Sequence, residues 1–166
     1  GPSELYGARC RELAEAGTLY LILSGGEVLL KEGFERIVTR ARDLHFDIEI
    51  FTNATLVTPE VADFWAAEGV SNVGVSLYSP DAVWQDRMTR LKGSYEATLR
   101  GVRLMAERGL RVKLKSPLMK MNLRQVTAIQ ALAEELGVAY QFDPILVPRN
   151  DGFAGPTRLG ISDQDL

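Results

Sequence analysis

Only one cysteine, Cys10, and one histidine, His45, occur in the 166 residues. A single thiol excludes an internal disulfide and any metal site built from several cysteines of this chain. Positive charge is not in excess either. Nineteen Lys and Arg against 22 Asp and Glu give a net charge of −3, which leaves no electrostatic footprint for nucleic acid or for an anionic membrane surface. Long hydrophobic runs are missing as well: the longest, residues 19–23, is far short of the ~20 residues that cross a bilayer. Gly1-Pro2-Ser3 shows no basic start and no apolar segment of a secretory signal; residues 1–3 read as a tag remnant, and a cytoplasmic setting is expected. What remains is ordinary for a folded domain. Hydrophobic residues make up 46% and charged residues 25% of the chain, whose length suits one domain of ~100–200 residues.

Five short apolar-rich runs bounded by Gly, Pro, Asn or Asp read as strands: 18–23, 46–51, 72–77, 110–116 and 138–143. Helical periodicity fills the intervals. Leu99, Val102 and Met105 repeat at helical spacing between Ser94 and Gly109. Thr58-Pro59-Glu60 supplies an N-cap with proline at the first helical position. Asn122 is expected to open a helix through Ile129 and Leu132 to Gly137, and residues 4–16 and 34–44 complete the set. Alternating helix and strand predicts parallel strands joined by crossovers. Five strands are too few for a closed eight-unit barrel, which takes ~250 residues, so an open sheet or an incomplete barrel is expected. Beyond Asp143 the pattern dissolves into prolines and glycines, an irregular connector.

In parallel α/β folds the ligand site lies beyond the C-terminal strand ends. Here those ends carry Ser24-Gly25-Gly26-Glu27, Thr52-Asn53, Ser76-Leu77-Tyr78, Lys115-Ser116-Pro117 and Asp143-Pro144. Two glycines let a ligand approach the backbone closely, and the carboxylate of Glu27 beside them suits an ammonium group. Taken singly, Gly25-Gly26 is also a strand-to-loop turn, Asn53 a turn residue, Ser76 a satisfied core hydroxyl and Lys115 a snorkelling lysine. Lys113 and Lys115 alternate with apolar residues and so share one sheet face. His45 reads as a helix-end or surface residue, Trp65 and Trp84 as packing residues, Cys10 as a small buried one, and Arg87, Arg90 and Lys92 as a solvated helix end.

Three blocks, taken in order and at their spacings, resemble the core of radical S-adenosylmethionine (SAM) enzymes: Leu23-Ser24-Gly25-Gly26-Glu27-Val28-Leu29-Leu30, Phe51-Thr52-Asn53-Ala54-Thr55-Leu56 and Val75-Ser76-Leu77-Tyr78-Ser79. Lys92-Gly93-Ser94-Tyr95, Lys113-Leu114-Lys115-Ser116-Pro117-Leu118-Met119 and Phe142-Asp143-Pro144-Ile145 are similar to the subgroup with a C-terminal SPASM domain, many of whose members modify ribosomally made peptides. The fold this implies is an incomplete parallel (β/α) barrel, five βα units of a (β/α)6 partial TIM barrel over residues 4–146, with 147–166 leading towards a C-terminal domain outside the chain.

The resemblance also implies a site. Gly25, Gly26 and Glu27 meet the amino group of SAM, and Thr52 and Asn53 lie beside the pocket. Ser76 meets the ribose or carboxylate, Lys115 faces cofactor or substrate, and Asp143 and Ile145 line the adenosine side; Tyr78 falls on the substrate side. The implied reaction of the parent enzyme is reductive cleavage of SAM to a 5′-deoxyadenosyl radical that abstracts hydrogen from a peptide or protein substrate. Val28 stands where the family usually has proline, and Gln85-Asp86 where a His-Asp pair is common. The Cys-x-x-x-Cys-x-x-Cys motif for the [4Fe–4S] cluster is absent, so the chain by itself is expected to hold no cluster, to bind SAM weakly and to be inactive. No residue is assigned as catalytic or as a metal ligand. Without a strand ahead of it, the run 18–23 is an open edge through which self-association is expected. Two other readings fit the same residues: a Schiff-base lyase or aldolase-type barrel using Lys115, and a non-catalytic binding module.

Overall fold

The structure, a computed structural model, describes residues 2–144, 146 and 154–161; Ile145 lies outside them. Five strands, β1 (Tyr20–Leu23), β2 (Asp47–Thr52), β3 (Asn72–Ser76), β4 (Val112–Pro117) and β5 (Ala139–Asp143), form one sheet in the order β1-β2-β3-β4-β5. Every pairing is parallel. The helices are α1 (Pro2–Glu15), α2 (Phe34–Asp43), α3 (Pro59–Ala67), α4 (Ala82–Thr89), α5 (Ser94–Glu107) and α6 (Val126–Glu135). This is the expected α/β fold, an incomplete parallel barrel. Because each strand lies beside its predecessor, the sheet has no point at which the winding reverses. A ligand site is therefore sought across the C-terminal edge of the curved sheet, as in barrels, rather than at a switch crevice.

Strand alternation divides the residues between two faces. Ile48 and Ile50 of β2, Val73 and Val75 of β3, and Val112 and Leu114 of β4 are buried on the helix side. They share one apolar core with Val38 and Ala41 of α2, Ala62 and Trp65 of α3, Val102 and Met105 of α5, and Ile129 and Ala133 of α6. The other face is polar: Glu49 and Phe51, Asn72, Gly74 and Ser76, Lys113 and Lys115, Gln141 and Asp143. Register sets Phe51 beside Gly74 and Ser76 beside Lys115 and then Gln141. At the outer edge β1 has no partner on one side among the described residues, and Tyr20 and Ile22 are exposed. No helix of the described residues is long and apolar enough to cross a membrane.

Four differences from the sequence reading have physical causes. The helix α4 ends where Arg87, Arg90 and Lys92 read as a helix end, but its body is not marked in the sequence because Val83 and Trp84 face outward; Asp81 starts it, accepting a hydrogen bond from Trp84 N at 2.9 Å. Trp84 is accordingly not a packing residue but is 44% exposed, under the Arg87 guanidinium, whereas Trp65 is 1% exposed. Asn122 opens the helical segment as expected, but its side chain makes no capping bond to it. Its buried amide donates to Tyr78 O and Pro117 O at 3.0 Å and accepts from Met119 N at 2.8 Å, so a 3-10 turn, Leu123–Gln125, precedes α6. Part of the expected irregular tail is ordered: Gly155–Leu159 forms a 3-10 helix, and Leu159 O accepts from Lys120 N at 3.1 Å. His45 is exposed at φ 61°, closing α2 where glycine is the commoner residue.

Candidate functional site

The loop after β1 and the turn after β2 are built as one unit. The Glu27 carboxylate reaches across the strand ends. Its Oε1 accepts from Thr52 Oγ1 at 2.7 Å and from Leu29 N at 3.2 Å, capping the 3-10 turn Val28–Leu30, while Oε2 accepts from Asn53 N at 2.8 Å. Thr52 Oγ1 in turn accepts from Ala54 N at 3.0 Å, and Asn53 Oδ1 accepts from Thr55 N at 2.9 Å and Thr55 Oγ1 at 2.7 Å. From α5, Thr98 Oγ1 donates to Asn53 O at 2.9 Å. Gly101 lets the helix press against Ala54, whose φ of 59° lies in the left-handed region. That conformation is uncommon for a residue with a Cβ and persists where surrounding contacts fix it.

This arrangement changes the role expected of Glu27. Three protein donors reach its oxygens, two at Oε1 and one at Oε2, so the carboxylate tethers the two loops. The adjoining backbone is open instead: a Cβ built at Gly25 or Gly26 meets nothing within 4 Å.

A cleft of about 710 Å³ opens over the C-terminal edge of the sheet, within the range of small-molecule sites, ~300–1,000 Å³. Gly25, Gly26, Thr52, Asn53, Ser76, Tyr78, Lys115 and Asp143 all border it. Glu27 does not; it lines a second groove of about 530 Å³ between α1, β1 and α2, which Ser24, Gly25 and Gly26 also border.

The floor of the cleft is made by Gly74. A Cβ there would come within 2.8 Å of the Phe51 ring and 2.9 Å of Lys115 Cδ. The missing side chain lets Lys115 cross from β4 over β3, placing Nζ 4.0 Å from the Phe51 ring centroid and 3.7 Å from Asp143 Oδ2. One ammonium thus reaches over β3 to β2 and also meets the adjoining β5. Lys115 is no snorkelling lysine; its side chain is 21% exposed. Both contacts are ones a cation makes. An isolated glycine in an apolar strand run marks close approach of another group, and that signal was available for Gly74.

Behind Ser76, the buried Gln85 Oε1 accepts from Tyr78 N at 2.9 Å and Ser79 N at 3.2 Å, fixing the loop after β3. Asp86 accepts from Gly93 N, from Ser94 Oγ at 3.0 Å and from Tyr95 N at 2.9 Å, so it caps α5 from a distance. The Tyr95 and Gly93 amides hold its carboxyl below the ordinary value. A depressed carboxylate stabilises the fold above its unfolded pKa and loses that contribution as pH falls through the folded one. Asp86→Asn should therefore lower thermal stability at neutral pH, with the gap to the parent closing as acid titrates Asp86. Melting curves over an acid pH series check this; a gap independent of pH would refute it.

Cluster ligation has no support from these residues. Cys10 is buried on α1, away from the cleft, and burial pushes its thiol pKa up, whereas ligation of iron needs thiolates. No group of three His, Cys, Asp or Glu suited to a metal ion occurs among the described residues. Any cluster cysteines lie outside these 166 residues.

Residues 4–133 match the sequence model of the Radical SAM superfamily. The chain is 32% identical over 141 residues to the AdoMet-dependent heme synthase of Methanosarcina barkeri, covering 85% of this chain and 40% of that protein. It is 29% identical over 141 residues to the mycofactocin maturase MftC of Mycolicibacterium smegmatis, covering 82% of this chain and 36% of that one. The chain thus spans well under half the length of these relatives. Among solved structures, SuiB of Streptococcus suis bound to S-adenosylmethionine superposes with a TM-score of 0.74 at 17% identity, over 86% of this chain and 33% of that one. SuiB bound to its precursor peptide SuiA gives 0.76 at 15% identity, over 86% and 32%. These two likenesses concern the fold.

Proposed function

Since this chain belongs to the radical SAM superfamily, we propose that its cleft is the SAM-binding wall of a longer enzyme acting on a peptide. One observation carries the cofactor reading. Bare backbone at Gly25-Gly26 faces the same cleft as the Ser76 hydroxyl and the Lys115 ammonium. Backbone carbonyls at the glycines suit the ammonium of the methionine end, in place of the Glu27 carboxylate. Ser76 and Lys115 offer donors to the carboxylate or ribose, with Asn53 beside them. Asp143 borders the far side, where Ile145 follows it in sequence, and Tyr78 is assigned to the substrate side. In an intact family member, one-electron reduction of SAM by a [4Fe–4S] cluster would release methionine and supply a 5′-deoxyadenosyl radical able to take hydrogen from a substrate. This chain's own part is to bind, orient and exclude water.

A peptide substrate is supported by the fold shared with SuiB, a protein solved with its precursor peptide. A tetrapyrrole of heme synthesis is the second reading, favoured by the higher identity to a heme synthase. Titration calorimetry of the chain with SAM tests the cofactor reading. Without a cluster to chelate the methionine end, we expect a dissociation constant in the millimolar range, worth ~4 kcal/mol. Gly26→Val, whose side chain enters open space, should abolish the binding and leave the melting temperature unchanged. Tight binding that survives Gly26→Val would place the site elsewhere.

A further inference from the structure

The helix α4 and its C-terminal turn carry surface that nothing above uses. Val83 is 77% exposed and Leu91 52%, and Trp84 is exposed beneath Arg87, whose guanidinium carbon lies 5.4 Å from the ring centroid. On a helix, 83 and 87 are neighbours, as are 84 and 87 and 84 and 88. Met88 and Leu91 border the cleft. Apolar and aromatic side chains thus lie both at the border of the cleft and on the outer surface of this helix and its turn. Clustered exposed apolar groups of this kind mark contact sites, unlike scattered single ones.

Charge identifies the partner. Although the whole chain is acidic, this short segment presents Arg87, Arg90 and Lys92 in exposed positions. None of the three forms an ion pair among the described residues. The two carboxylates nearby are committed to helix ends, Asp81 at the start of α4 and Asp86 at the start of α5. Residues 81–92 thus carry three basic and two acidic side chains, a net charge of +1 in a chain of −3, and the two carboxylates are drawn to backbone amides at helix starts while the three cations stand exposed beside Trp84.

We propose that this rim docks an acidic stretch of the peptide substrate that also carries apolar side chains, holding it so that an adjoining residue enters the cleft. The inference extends the peptide reading above. Acidic side chains would pair with Arg87, Arg90 and Lys92, and an apolar one would lie on Trp84 and Leu91.

The two tryptophans provide the test, because Trp65 is buried and only Trp84 reports on the rim. The chain is titrated with a short synthetic peptide alternating Glu with Leu and Phe, and with its counterpart carrying Lys for Glu, while acrylamide quenching is followed. The acidic peptide should shield Trp84 and shift its emission to the blue; the basic one should not. Arg87→Glu with Arg90→Glu should weaken the acidic peptide roughly tenfold, the sum of two lost attractions and two new repulsions. Equal binding of both peptides, indifference to the double reversal, or undiminished quenching at millimolar peptide would overturn the proposal. Shielding that grows with protein concentration alone would also do so, since a second copy would then be the occupant. SAM binding is measured on the same samples: its failure alongside acidic-peptide binding would remove the cofactor reading and leave this surface standing.

Discussion

Replacing Gly101 by alanine should destabilise the chain by about 3 kcal/mol, the upper part of the usual cost of forcing extra volume into a packed site. The added Cβ would overlap the Ala54 carbonyl oxygen, and would come within 3.1 Å of Ala54 Cβ and 3.2 Å of Val57 Cβ. Backbone cannot rotate out of the way as a side-chain tip can. Either α5 withdraws, leaving Val102 and Met105 poorly packed, or the turn after β2 gives up its left-handed residue. Intrinsic propensity argues the other way, since alanine within a helix is favoured over glycine by ~1 kcal/mol. The sign of the effect therefore decides between the two. Thermal or urea denaturation should show a melting temperature lower by roughly 10 °C for a chain of this size, and a variant more stable than the parent would refute the close approach.

Removing the Glu27 carboxylate should have an effect of similar size, and its two simplest variants should differ. In Glu27→Ala, Thr52 Oγ1, Leu29 N and Asn53 N all lose their acceptor, and hydrogen bonds to a charged group are worth ~1.5–3 kcal/mol each. Partial solvent access lets water replace some of this, so a loss of about 2–4 kcal/mol is expected. Glu27→Gln keeps one oxygen, enough for Thr52 and Leu29, but sets an NH2 group against the Asn53 amide, donor against donor. About half the loss should remain, roughly 1–2 kcal/mol, with the Asn53 amide proton shift moving more than that of Leu29. Urea denaturation with amide NMR checks both statements. Identical, near-neutral behaviour of the two variants would mean that the tether does not hold the loop.

Much of the architecture was legible because strands with one face on the helices read as short apolar-rich or alternating runs bounded by turn residues, and because caps such as Thr58-Pro59 announce helices chemically. The strand ends carrying Gly25-Gly26, Asn53 and Ser76 were readable from topology alone, since a parallel sheet aligns its C-terminal ends. Three things were not readable. Glu27 could be identified as an acceptor, but which donors fill it depends on a turn 25 residues further on. The path of Lys115 over Gly74 needs β4 to lie beside β3, which no local pattern encodes. The helix α4 hides because its apolar residues point outward, so periodicity has no buried face to report.

The central claim is that the cleft over the C-terminal strand edge, and not the groove beside α1, is where SAM binds. It is tested most directly by mapping backbone amide shifts of the labelled chain while SAM is added into the millimolar range. The account predicts perturbations concentrated at Gly25, Gly26, Asn53, Ser76 and Lys115, saturating with one weak dissociation constant and absent in Gly26→Val. Perturbations centred instead on Tyr6, Cys10 and Leu13 in the groove beside α1, or none at any residue, would contradict it.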